Sequence, residues 1–157
     1  MLRMVAATIT AALGAGAGGA DQAGFVDAQV RAFGADYSTL MAGIRGRAPS
    51  ARIIVLNLPN LAALPYLGRA SLQQRQAAQR ASVGMTTTII NPLTAQNATV
   101  IDLMCDSRAY QASNYSSDGF HPNDSGYGFI AAEIVRAITS SSYPAPRASC
   151  SQMSVIP

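Results

Sequence analysis

Apolar residues recur at Val26, Val30, Phe33, Tyr37, Leu40 and Ile44, in steps of four and three. That spacing predicts one buried face of a helix, capped at its start by Asp21 and stopped by Gly46 and Pro49. The pattern then changes. Arg52 to Leu58 is an almost unbroken apolar run ended by Pro59, which reads as a strand covered on both faces. Ser71 is placed to cap a second helix running to about Val83. Its stripe (Leu67, Ala70, Ala78, Ala81, Met85) is thin and interrupted by Gln74, which predicts a partly exposed helix. Pro92 breaks the pattern, and Thr99 to Leu103 reads as a second short buried strand. No period is visible from Met104 to Asn123. A last helix starts at Asp124 or Ser125 and turns Tyr127, Ile130, Ile134 and Ile138 inward. Strands alternating with helices over short loops indicate an α/β fold with a parallel sheet.

Composition narrows the class. The 157 residues are 49% hydrophobic and 12% charged, which describes one folded domain and excludes a solvated, disordered chain. The net charge is +3, and every one of the 11 basic residues is Arg. The absence of Lys reads as the codon bias of a GC-rich bacterial genome. The arginines are spread along the chain, so nucleic acid is not an expected partner. Met1 to Leu13 has a positive start and an apolar stretch diluted by Thr8 and Thr10. It is too short and too weakly apolar to span a membrane. It reads as an amphipathic or buried element, with a signal peptide as the lesser alternative, and Val5, Thr8 and Ile9 also suit a strand. The two cysteines, Cys105 and Cys150, with a single histidine cannot make an ordinary zinc site. They read as a disulfide tying the loop after the second strand to the tail, with two unpaired thiols as the alternative. A disulfide would place the protein in an oxidising, extracytoplasmic compartment.

Candidate chemistry lies in the aperiodic loop after the second strand, where sites of parallel α/β sheets assemble. The loop reads Ser117-Asp118-Gly119-Phe120-His121-Pro122-Asn123, and His121 is the one histidine of the chain. An Asp three residues before a His can accept the Nδ1 proton, which leaves Nε2 free to take a proton from a hydroxyl nucleophile. Gly119 permits the bend. Taken alone, an Asp and a His at this spacing are more often a surface pair beside a helix cap.

The block Asp118 to Asn123, set after a strand and before a helix with Gly126, resembles the last motif of SGNH (GDSL) hydrolases. Leu56 to Leu61 resembles that family's strand ending at an active-site loop, and Val100 to Leu103 the strand before its final block. The resemblance spans Phe25 to Ile138. It implies a flavodoxin-like three-layer parallel sheet with flanking helices, and carboxylic ester hydrolysis by serine acyl transfer on small acyl esters. His121 would be the base and Asp118 its partner, with no cofactor. The substrate would approach near Asn57, Pro59 and the loop from Met104 to Asn114.

The chain departs from the family in lacking a Gly-Asp-Ser motif. Gly18-Gly19-Ala20-Asp21 is the nearest match to the Gly-x-Asn-Asp block and has Ala in place of Asn. These departures imply a domain truncated before residue 1, so that residues 1–139 form an incomplete α/β unit and residues 140–157 a Ser/Pro-rich tail pinned by Cys150. The open sheet edges of such a unit would favour pairing between two copies. Ser38, Ser50, Ser71, Ser113, Ser116, Ser117 and Ser125 read as loop or cap residues, and none is assigned as nucleophile. The alternative function is an inactive remnant or interaction module keeping only the Asp–His half of the triad.

Overall fold

The computed structural model describes residues 21–157. The segment Met4 to Leu13 and the glycine-rich stretch Gly14 to Gly19 lie outside the described residues. Five main elements follow: α1 (Gln22–Arg47), β1 (Ile53–Leu56), α2 (Leu72–Met85), β2 (Ala98–Ile101) and α3 (Asp124–Thr139). Among the described residues the sheet has two parallel strands, with Ile53 opposite Ala98 and Leu56 opposite Ile101.

Side chains of a strand alternate between faces, and both faces of this pair are covered. Ile53, Val55, Ala98 and Val100 pack with α1 and α2 around Val26, Phe33, Tyr37 and Met85. Ile54, Leu56 and Ile101 point the other way, onto Ile130, Ile134 and Ala137 of α3. Helices on both sides of a small parallel sheet match the α/β expectation.

Capping sets the helix boundaries. Asp21 accepts from the Gly24 amide at 2.9 Å and opens α1. Ser71 and Gln74 form a reciprocal capping box at the start of α2, which removes two unsatisfied backbone donors. Arg45 closes α1 against the second strand's approach, donating to the carbonyls of Ala51 and Gln96. Arg52 reaches across to the carbonyls of Ala137, Ile138 and Ser140, the unsatisfied end of α3.

The structure corrects three details. The inward residue of α1 after Tyr37 is Met41, 5% exposed, whereas Leu40 is 38% exposed. Helical structure does not end near Val83: α2 runs to Met85 and continues through a π turn and a 3₁₀ turn to Gln96. Pro92 is tolerated there because it falls at the start of the 3₁₀ turn, where no amide donor is needed. In α3, Tyr127 and Ile138 are exposed, and Gly126, Glu133 and Ala137 are the buried positions.

Glu133 explains that rotation. Its carboxylate, 7% exposed as a residue, accepts from Arg108 at 2.8 Å, Arg136 at 2.5 Å and the Tyr143 hydroxyl at 2.8 Å. Burial pushes its carboxyl up, but these three donors outweigh burial and bring it from 4.5 down to about 2. A carboxyl depressed in the folded state contributes stability that is fully present above its unfolded value and is lost as pH falls through about 2. Melting temperature followed from pH 7 to pH 2 is expected to fall less steeply below pH 4.5 in Glu133→Gln than in the parent. At neutral pH the variant loses on the order of 1 kcal/mol, because the guanidiniums of Arg108 and Arg136 lose their counter-charge but, at 42% and 54% exposure, keep water around them. Parallel pH profiles of the two proteins would refute this role.

The tail is held at more points than the cysteine. Cys105 and Cys150 form the disulfide. Further along, Ile156 is buried against α2, its amide donating to Gln79 and its carbonyl accepting from the same side chain. Arg147 donates its amide to Asp102 and its guanidinium to the Cys105 carbonyl.

Candidate active site

The carboxyl ends of both strands run directly into the loops that carry the chemistry. After β1, Asn57 is 1% exposed; it donates to Asn91 and Asp102 and accepts from the Met104 amide, all near 3.0 Å. This stitches the exit of β1 to the exit of β2. Thr86, from the π turn, both donates to the Leu58 carbonyl and accepts from the Leu58 amide. Asn60, 0% exposed, donates to Gln79 and to the Gln152 carbonyl, while its own amide donates to the Tyr110 hydroxyl. The Tyr110 hydroxyl donates to the Met104 carbonyl at 2.6 Å, and burial holds its phenol up at about 12. With both polar atoms of its side chain committed, Asn57 is a clamp between the two strand exits. Pro59, Ala109 and Asn114 do line a cavity.

The loop bearing Asp118 and His121 rests on this floor. Its two ends are joined by the Tyr115–Pro122 bridge, and the Ser116 amide donates to the His121 carbonyl at 2.8 Å. Asn123 caps α3 by accepting from the Gly126 amide and anchors the loop by donating to the carbonyls of Ser113 and Tyr115. Gly126 has to be glycine because a Cβ would lie 2.2 Å from the Asn114 carbonyl oxygen. Gly119 is at φ +69°, and a Cβ there would meet the Tyr66 amide nitrogen at 2.7 Å. Both the left-handed backbone and the close approach demand glycine. The Gly119 carbonyl accepts from that same amide, which docks the bend on the turn after β1.

The bend brings Asp118 and His121 together. Asp118 Oδ2 lies 2.6 Å from His121 Nδ1, while Oδ1 accepts from the amides of Phe120 at 2.9 Å and His121 at 3.0 Å. The imidazole bond first, and then the two amides, pull the Asp118 carboxyl down to about 2. A carboxylate only accepts, so the shared proton belongs to Nδ1 and the lone pair to Nε2. Both side chains stay open to solvent, His121 at 60% and Asp118 at 47%. The Phe120 ring packs edge-on against the His121 ring at 5.1 Å and against Tyr66 at 5.4 Å, which fixes the imidazole plane.

The serines singled out in the sequence occupy other places. Ser71 caps α2, Ser125 lies in the first turn of α3, and the Ser116 hydroxyl contacts the Pro122 carbonyl. Among the described residues the hydrogen-bonding partner of the His121 ring is Asp118. Gly18, Gly19 and Ala20 lie outside the described residues, and Asp21 serves as a helix cap. Asn60, Gln79 and Tyr110 are not legible as supports because the bonds joining them to one another and to the tail span 19 to 92 positions. Phe120 stood inside the motif and was legible only as a spacer.

Among the described residues no helix is long and apolar enough to cross a membrane. Comparison with curated proteins and with solved structures gives no match. The family model for GDSL-like lipase/acylhydrolase matches residues 15–134, which takes in α1, both strands, the Asp118–His121 bend and most of α3. That match covers well over half of the chain and agrees with the order of strand, loop and helix around the bend. The chain therefore belongs to the GDSL-like lipase/acylhydrolase family of ester hydrolases.

Proposed function

We propose that the protein hydrolyses small carboxylic esters by acyl transfer to a serine, with His121 as the base and Asp118 as its orienting partner. The observation that carries this reading is the solvent-open imidazole whose Nδ1 is tied to Asp118, leaving the Nε2 lone pair available. A hydroxyl oxygen bonds to the acyl carbon while its proton passes to Nε2. The bond between the acyl carbon and the alkoxy oxygen then breaks, and the departing alcohol takes the proton back from Nε2. Water repeats the sequence on the acyl-enzyme and releases the acid. The ionised Asp118 stabilises the imidazolium formed on the way.

A second reading has an observation of its own. No serine hydroxyl among the described residues is hydrogen-bonded to the His121 ring, as a chain keeping the acid–base pair without its nucleophile would show. A fluorophosphonate probe separates the two. The first reading expects one labelled serine on peptide mapping, together with turnover of p-nitrophenyl butyrate above the buffer rate. Absence of both the label and the turnover would leave the second reading standing.

A further inference from the structure

Beside the bend is a cavity of about 170 Å³ whose walls are almost wholly apolar. Leu58, Leu61, Leu103, Tyr115, Phe120 and Phe129 form much of its lining. Its polar edges are already spent: the Asn114 side chain donates to the Arg108 carbonyl, and the Tyr115 hydroxyl to that of Ala109. Burial accordingly holds the Tyr115 phenol up at about 12. Among the described residues no charged side chain lines the space. An uncharged hydrocarbon is therefore the chemistry it can take, since a polar guest would lose its hydration with nothing in return.

The cavity is also in register with the imidazole. Phe120 and Pro122, the two neighbours of His121 in sequence, both belong to its wall, and the Phe120 ring is the contact between the wall and the His121 ring. We infer that this cavity is the acyl-chain subsite, with Phe120 as the partition that places the ester carbonyl of a bound chain beside His121. This assignment rests on the proposed ester hydrolysis. Volume sets the length of the chain. A cavity of about 150 Å³ with aliphatic and aromatic walls holds a six-carbon guest the size of benzene, so the subsite takes acyl groups of about four to six carbons.

The test uses two readouts, one of which does not need turnover. In the His121→Ala protein, titration with methyl hexanoate followed by amide NMR should give saturable shifts at Ala109, Tyr115 and Phe120. Adding Ala109→Leu, which fills the cavity from a wall residue 2% exposed, should remove them. In the protein with His121 intact, kcat/KM for p-nitrophenyl hexanoate should exceed that for the acetate by at least about tenfold. Ala109→Leu should erase that preference, and Phe129→Ala, on the half-buried side of α3, should move the optimum to longer chains. Shifts without turnover would leave the subsite in place and remove the catalytic reading. Turnover whose chain-length profile ignores both substitutions, or shifts that survive Ala109→Leu, would overturn the subsite.

Discussion

Ester hydrolysis is expected to fall by a factor of about 10³ or more in His121→Ala, measured as kcat/KM on p-nitrophenyl butyrate. The size follows from what the imidazole is asked to do. Without it the hydroxyl must lose its proton to water, and the departing alcohol must leave as an alkoxide. Asp118→Asn is expected to cost about 10² to 10⁴ in kcat while leaving the fold intact, because an amide beside Nδ1 no longer enforces the proton on that nitrogen. Both side chains are exposed, at 60% and 47%, so neither change should move the melting temperature by more than the scatter of surface substitutions. That contrast makes the experiment decisive. Activity retained in His121→Ala at an unchanged melting temperature would mean that the hydrolysis proceeds without this pair.

Loss of the Cys105–Cys150 link is expected to remove about 4 kcal/mol of stability, the chain-entropy value for the 45-residue separation that it closes. The cost is set by the unfolded chain, which regains the freedom the link denied it. Chemical denaturation of Cys105→Ser/Cys150→Ser against the parent measures it, and a difference under about 1 kcal/mol would show that the tail's other contacts suffice. Those contacts are local to Gln79, Asn60 and Asp102, so the variant should also lose hydrogen-exchange protection at Ile156 before the strands open. From this bond we propose an oxidising place of work. Two free thiols in protein recovered from its native compartment would argue against that placement.

Local signals are legible in the sequence and distant ones are not. The Asp21 cap, the Ser71 cap and the two apolar strand runs are properties of a few consecutive residues, and the structure contains each of them. The choice between Leu40 and Met41 depends on a helix period of about 3.6, which a step of three and a step of four satisfy almost equally. The inward stripe of α3 is not legible because its glutamate is held in part by Arg108, 25 positions earlier, beside the nearer Arg136 and Tyr143. The pair at Asp118 and His121 is legible because its geometry is made within one turn by Gly119. The apolar cavity was not, since its walls come from the loop after β1, the loop after β2 and α3.

The parallel pairing of Ile53 with Ala98, and the grip of Gln79 on Ile156 across 77 positions, bear on how the molecule is made. Neither contact can form while its second half is still inside the ribosome, and each demands that a long stretch of chain be closed before any reward arrives. Helix α1 meets α2 early and waits; the last turn of the tail arrives after everything it must cover. Until then Ala78 and Leu67 stay wet, which makes the interval before Ile156 lands the period in which nascent molecules are most prone to stick to one another.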